Sequence, residues 1–214
     1  MSVITAIKQQ ERDKERVNVF VDGDFAFALT AEMAYLEGLK IGEAITPERI
    51  AELQAKDEQS KAINSALLLL ASRPRSVNEL RVRLKQKGFP EPAIDAAIAR
   101  VEGWNYVDDE AFARFWVENR GANRPRGRRL LEQELRQKGV DREIAHHAIE
   151  DAGLDERADA VQLARAKLRS YANLDPETAR RRLSGFLARK GYGYDVIKPA
   201  LDAALGETDE FEAE

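Results

Sequence analysis

Three copies of one pattern constrain this chain more than any other feature. Aligned on a Lys-Gly pair, Leu80, Leu84, Lys87 and Gly88 fall against Leu131, Leu135, Lys138 and Gly139, and then against Leu183, Leu187, Lys190 and Gly191. The pattern is L-x-x-x-L-x-x-K-G, with its glycines 51 and 52 residues apart. A proline precedes the first leucine by six residues at Pro74 and Pro125 and by seven at Pro176. Ten residues past each glycine stands Ile98, Ile149 or Leu201, each preceded by alanine.

Leucines four apart share one face of an α-helix, so each pair marks a buried stripe, and the glycine suits the left-handed residue that ends such a helix. The lysine before it sits in the last turn, where exposed carbonyls favour a cation. Proline fits the helix start or the turn ahead of it. One unit therefore reads as helix, Pro-containing turn, helix ending at Lys-Gly, short turn, third helix. Three such units in tandem predict a mostly α protein, an array of three three-helix repeats sharing cores with their neighbours.

The 214 residues are 43% hydrophobic and 34% charged, enough for a sizeable core in a soluble chain. There is no cysteine, hence no disulfide and no thiolate metal site. With no apolar run of membrane-spanning length and no export-like start, the expectation is a cytoplasmic protein with no membrane partner. The net charge of -4 hides an asymmetry. Residues 1–60 carry 7 basic and 12 acidic side chains, residues 61–205 carry 27 and 21, and residues 206–214 carry none and 5. A basic middle between acidic flanks points to an anionic partner for the repeats.

Val3 to Gln10 and Arg16 to Leu29 have strand-like composition, with Asp22-Gly23-Asp24 as a hairpin turn, and predict a small antiparallel meander. Thr30 caps a short helix that Gly38 ends, and Lys40 to Ile45 is a further short extended piece. Thr46-Pro47 starts a helix that runs to about Ser72, with the polar stretch Lys56 to Lys61 as a candidate interruption and hinge. Ala62 to Ala71 is apolar enough to be packed on two sides as the first helix of repeat one. The expected divisions are a β module at 1–55, repeats at 56–106, 107–155 and 156–205, and a disordered acidic tail at 206–214.

Phe112, Phe115 and Trp116 have the spacing of a core stripe, a base-stacking platform being the alternative. Asp108 and Asp109 read as a helix cap rather than as a catalytic or metal pair, because adjacent residues diverge and no third ligand stands near. His146 and His147 point about 100° apart and cannot form an i, i+4 zinc pair. No phosphate-binding glycine loop or nucleophile elbow is present, so no catalytic residue, metal or cofactor is expected.

Seven basic residues between Arg120 and Lys138 are the strongest functional signal: Arg120, Arg124, Arg126, Arg128, Arg129, Arg136 and Lys138. Arginine offers a planar fork matched to carboxylates and phosphates. Helix spacing allows Glu132 to pair with Arg136 and Glu134 with Lys138, which leaves Arg124, Arg126, Arg128 and Arg129 for an external partner. At a helix start their charge opposes the macrodipole, so local stability does not account for them. Arg73, Arg75, Arg81 and Lys85 in repeat one and Arg180, Arg181 and Arg182 in repeat three extend the same surface.

Trp104-Asn105-Tyr106-Val107-Asp108-Asp109-Glu110-Ala111-Phe112-Ala113, then Trp116, Arg120, Arg124-Pro125-Arg126-Gly127, Leu131, Glu134-Leu135 and Lys138-Gly139 closely resemble the central repeat of RecX regulatory proteins. Arg73-Pro74-Arg75-Ser76 and Glu79-Leu80 extend the likeness to the first repeat, and residues 60–205 are covered. The resemblance implies a non-enzymatic modulator of the RecA recombinase in DNA repair, recombination and the SOS response. It implies an inhibitor that lodges, as a monomer, in the groove of the RecA filament on single-stranded DNA. The basic residues above would then meet RecA carboxylates and the strand's phosphates. A helical-repeat protein that binds DNA directly is the competing reading, since a three-helix unit also accommodates a helix-turn-helix.

Overall fold

The structure, a computed structural model, describes residues 2–123 and 125–211. It separates into two compact units, Met1–Arg73 with Leu80–Tyr106, and Pro74–Glu79 with Val107–Glu214.

The first unit opens with strands β1 (Ser2–Gln9), β2 (Arg16–Val21) and β3 (Asp24–Thr30), helix α1 (Ala31–Leu36) and a two-residue strand β4 (Ala44–Ile45). The sheet order is β3-β2-β1-β4 and every pair is antiparallel. Asp22 and Gly23 both have positive φ, 52° and 97°, as a two-residue hairpin turn requires. Alternation puts Val17 and Val19 of β2 and Phe27 and Leu29 of β3 into one core with Ile4, Ile45 and Leu53. Thr30 and Thr46 cap the helices that follow them, each accepting the backbone N–H three residues on.

Thr46 starts α2, which runs unbroken from Pro47 to Ser72. The candidate interruption at 56–61 is absent, and the polar stretch has partners on β2 and along the helix. Arg16 on β2 forks onto both oxygens of the buried Asp57, at 3.1 and 2.9 Å, and Lys61 reaches the same carboxylate at 2.9 Å. Burial would raise the Asp57 pKa, but these two cations outweigh it and hold the carboxyl below its ordinary value. The first helix of repeat one is also less enclosed than expected. Its buried stripe is Ala62, Ser65 and Ala66, while Leu68 is 72% exposed. Helices α3 (Val77–Gln86) and α4 (Glu91–Gly103) complete the repeat.

In the second unit, repeat two comprises α5 (Asp109–Asn123), α6 (Arg128–Gln137) and α7 (Arg142–Asp151). Repeat three comprises α8 (Glu156–Leu168), a 3-10 turn Arg169–Tyr171, α9 (Pro176–Arg189) and α10 (Tyr194–Phe211). The acidic segment expected to be disordered is thus helical as far as Phe211. All six repeat leucines are at most 1% exposed, and Gly88, Gly139 and Gly191 have φ of 89°, 78° and 92°. The repeated pattern therefore reports core positions and left-handed helix ends.

Two hydrogen bonds join the start of α3, and two the start of α6, to residues of the repeat that follows. Four residues before the first leucine, Ser76 Oγ donates to the Lys138 carbonyl at 2.6 Å and the Gly127 N–H donates to the Lys190 carbonyl at 2.9 Å. One residue later, the Val77 N–H donates to Asp109 Oδ1 at 2.9 Å and the Arg128 N–H to Glu156 Oε1 at 2.8 Å. Both carboxylates belong to the first residue of the next repeat's first helix. Orphan donors of one helix are thus capped by its successor. Helix α9 differs: it begins seven residues before Leu183, where α3 and α6 begin three before theirs. Ala179, which occupies the position of Ser76 and Gly127, donates its N–H to Asp175 within that extra turn.

Candidate functional site

Helices α5 and α6 carry most of the basic run, and their facing residues form one ionic cluster around Glu134. Trp116 Nε1 donates to Glu134 Oε2 at 2.9 Å and Arg120 Nε donates to the same oxygen at 3.2 Å. Arg126 pairs with the other oxygen. The Arg120 guanidinium lies 4.5 Å from the Trp116 ring centroid and Lys138 Nζ 4.9 Å from it, so two cations contact one indole. Lys138 Nζ also reaches Glu79 at 2.5 Å. Glu134 therefore pairs with Arg120 and Arg126 and not with Lys138, contrary to the helix-spacing expectation. Arg128 likewise faces inward charge, its Nε 3.5 Å from Glu156. Glu134 is only 12% exposed, so this arrangement clamps α5 to α6.

The acid pair of the motif caps two different helices. Asp108 accepts from the N–H groups of Glu110 and Ala111 at the start of α5, whereas Asp109 caps α3. Burial pushes the Asp109 pKa up, the Val77 N–H opposes it, and the neighbouring Asp108 charge adds to it. Of the three aromatics, Phe112 is 2% exposed and stacks on Trp116 at 5.8 Å, as core residues do, and Phe115 is 38% exposed.

Three further arginines line a single cleft. A cleft of about 950 Å³ between α6 and α7 is lined by Arg129, Arg136, Arg142, His146 and His147. Glu132 and Glu143 are the acids in its wall. Among the described residues, none of the three guanidiniums is placed in an ion pair. His146 is near Glu150 at 3.4 Å. Such a site can take carboxylates or phosphates through planar, two-pronged bonds. Arg142 was not singled out by the sequence. Its only signal is the i, i+4 spacing to His146, which is ordinary for any helix.

The remaining candidates are distributed. Arg81 bridges to Glu91 and Asp95 at 3.2 and 2.7 Å, Lys85 to Glu91 at 2.7 Å and Arg180 to Asp202 at 2.5 Å. Arg73 and Arg75 are half-buried on either side of Pro74. Arg181 and Arg182 are exposed on α9. Arg124 lies outside the described residues.

An N-terminal antiparallel sheet followed by three three-helix repeats, with exposed arginines on the second, defines a tandem helical-repeat protein. Comparison with known proteins resolves the class further. The regulatory protein RecX N-terminal domain matches residues 2–46, and the first, second and third three-helix domains of RecX match 62–100, 108–149 and 155–201. The chain belongs to the RecX family of regulatory proteins. It is 32% identical over 208 residues to regulatory protein RecX of Clostridium botulinum strain Eklund 17B, covering 96% of this chain and 97% of that one. It is 33% identical over 211 residues to regulatory protein RecX of Bacillus subtilis strain 168, covering 98% and 80%. A crystal structure of regulatory protein RecX matches with a TM-score of 0.74 and 25% identity over 94% of this chain and all of that one. The fold of RecX from Lactobacillus salivarius matches with a TM-score of 0.63 at 23% identity, covering 70% and 97%. Among the described residues, no helix is long and apolar enough to cross a membrane.

Proposed function

We propose that this chain is a non-enzymatic, cytoplasmic regulator that binds the RecA recombinase filament on single-stranded DNA and inhibits it, acting in DNA repair and the SOS response. Membership of the RecX family supports the partner. The observation that supports the site is that Arg129, Arg136 and Arg142 line one cleft and that, among the described residues, none of them is placed in an ion pair. Arg181 and Arg182 on α9 would extend the contact, while Arg120, Arg126, Arg128 and Lys138 position α5 and α6.

The test is co-sedimentation and ATP hydrolysis with RecA filaments on single-stranded DNA. The parent should bind coated DNA far more tightly than bare DNA, whose affinity would fall with salt by about 0.7 in log K per neutralised phosphate. Replacing Arg129, Arg136 and Arg142 together by alanine should weaken filament binding by about 1.5 to 3 kcal/mol per lost contact while leaving the fold intact. Equal affinity for coated and bare DNA would favour the direct DNA-binding reading instead.

A further inference from the structure

Two Lys-Gly corners in this chain are filled and one is open. The Lys138-Gly139 corner receives the start of α3, and a Cβ on Gly139 would stand 2.3 Å from Asn78 Cβ. The Lys190-Gly191 corner receives the start of α6, and a Cβ on Gly191 would stand 2.4 Å from Leu130 Cβ. In both, the lysine carbonyl accepts the incoming helix's donor and the glycine makes the room.

The Lys87-Gly88 corner has the same backbone. Gly88 donates to the Lys85 carbonyl at 3.0 Å, as Gly139 does to Arg136 at 2.9 Å and Gly191 to Ala188 at 3.0 Å. Phe89 donates to Leu84 at 3.3 Å, as Val140 does to Leu135 at 3.1 Å and Tyr192 to Leu187 at 3.3 Å. Yet nothing lies within 4 Å of where a Cβ on Gly88 would stand. Positive φ alone does not demand glycine at such a helix end. Asn105 holds φ 56° at the end of α4 with the same pair of bonds, to Glu102 and Val101. At the filled corners glycine is needed because a Cβ would strike the neighbour; Gly88 leaves that room unfilled.

We infer that the Lys87-Gly88 corner is a docking site for the first turn of a helix from another protein. The incoming helix offers the Lys87 carbonyl a serine hydroxyl or a bare N–H at its start, as Ser76 and Gly127 do at the other two corners. A second copy's α9 does not qualify, since the Ala179 N–H is already bonded inside its helix. The inference rests on the filament reading above, and a RecA subunit would supply the helix.

The test compares the parent and Gly88→Asn, which tolerates positive φ but fills the corner. Titrated against RecA filaments on single-stranded DNA, the variant should keep its helical content and bind about tenfold or more weakly. Hydrogen exchange on the parent should slow at residues 85–92 when filaments are added. A folded Gly88→Asn chain that binds like the parent, or exchange at 85–92 that is unchanged in a bound parent, overturns the docking site alone. A parent that does not bind filaments overturns the filament reading and this one with it.

Discussion

Replacing Glu134 by glutamine tests whether the central arginines are divided between structure and partner. The substitution keeps shape and leaves an acceptor for the Trp116 indole, but it removes the charge that Arg120 and Arg126 share. Breaking a buried ion pair from one side costs about 3 to 5 kcal/mol, and each charge-assisted bond exceeds a neutral one by about 1 kcal/mol. Arg120 is 28% and Arg126 20% exposed, so water solvates part of the orphaned charge and the cost shifts toward the lower end of that range. We expect a loss of about 2 to 4 kcal/mol, or roughly 8 to 16 °C in melting temperature for a unit of about a hundred residues. Urea unfolding followed by circular dichroism measures it. Arg129→Ala, by contrast, should stay within about 0.5 kcal/mol. A loss below about 0.5 kcal/mol for Glu134→Gln would show that the cluster does not clamp α5 to α6 and would return Arg126 to the partner surface.

Gly139→Ala and Gly88→Ala both place a Cβ at positive φ, at about 1 kcal/mol each, but only the first meets Asn78, adding roughly 1 to 3 kcal/mol of overpacking. Equal losses in thermal melts would mean that α3 does not start against the Gly139 corner. The Asp57 carboxyl is more acidic in the folded chain than its unfolded value near 3.9, so the stability it contributes is present above that pH and is lost as pH falls through the folded value. Asp57→Asn should therefore flatten the acid limb of the stability profile below about pH 4, and an acid limb as steep as the parent's would refute the Arg16 and Lys61 pairing.

Local chemistry made much of the fold legible. The leucine pairs, left-handed glycines, threonine caps and Asp-Gly turn each act within a few residues, and the structure shows them in those roles. What spacing missed depends on residues far apart in sequence. Asp57 looked like part of a polar hinge because its partner, Arg16, lies 41 residues away. Helix spacing pairs Glu134 with the lysine one turn on, but its partners, Arg120 and Arg126, lie outside α6. Leu68 looked buried on composition alone, yet the helix buries small residues at 62, 65 and 66 instead.

The extra turn at the start of α9 sets a limit on how such a chain can lengthen. A duplicated unit placed after repeat three would find at Ala179 no donor for its lysine carbonyl, and a helix where the shorter starts of α3 and α6 leave space. Growth by duplication would first have to unwind that extra turn. The length of that one helix thus decides whether its start can dock on a further corner.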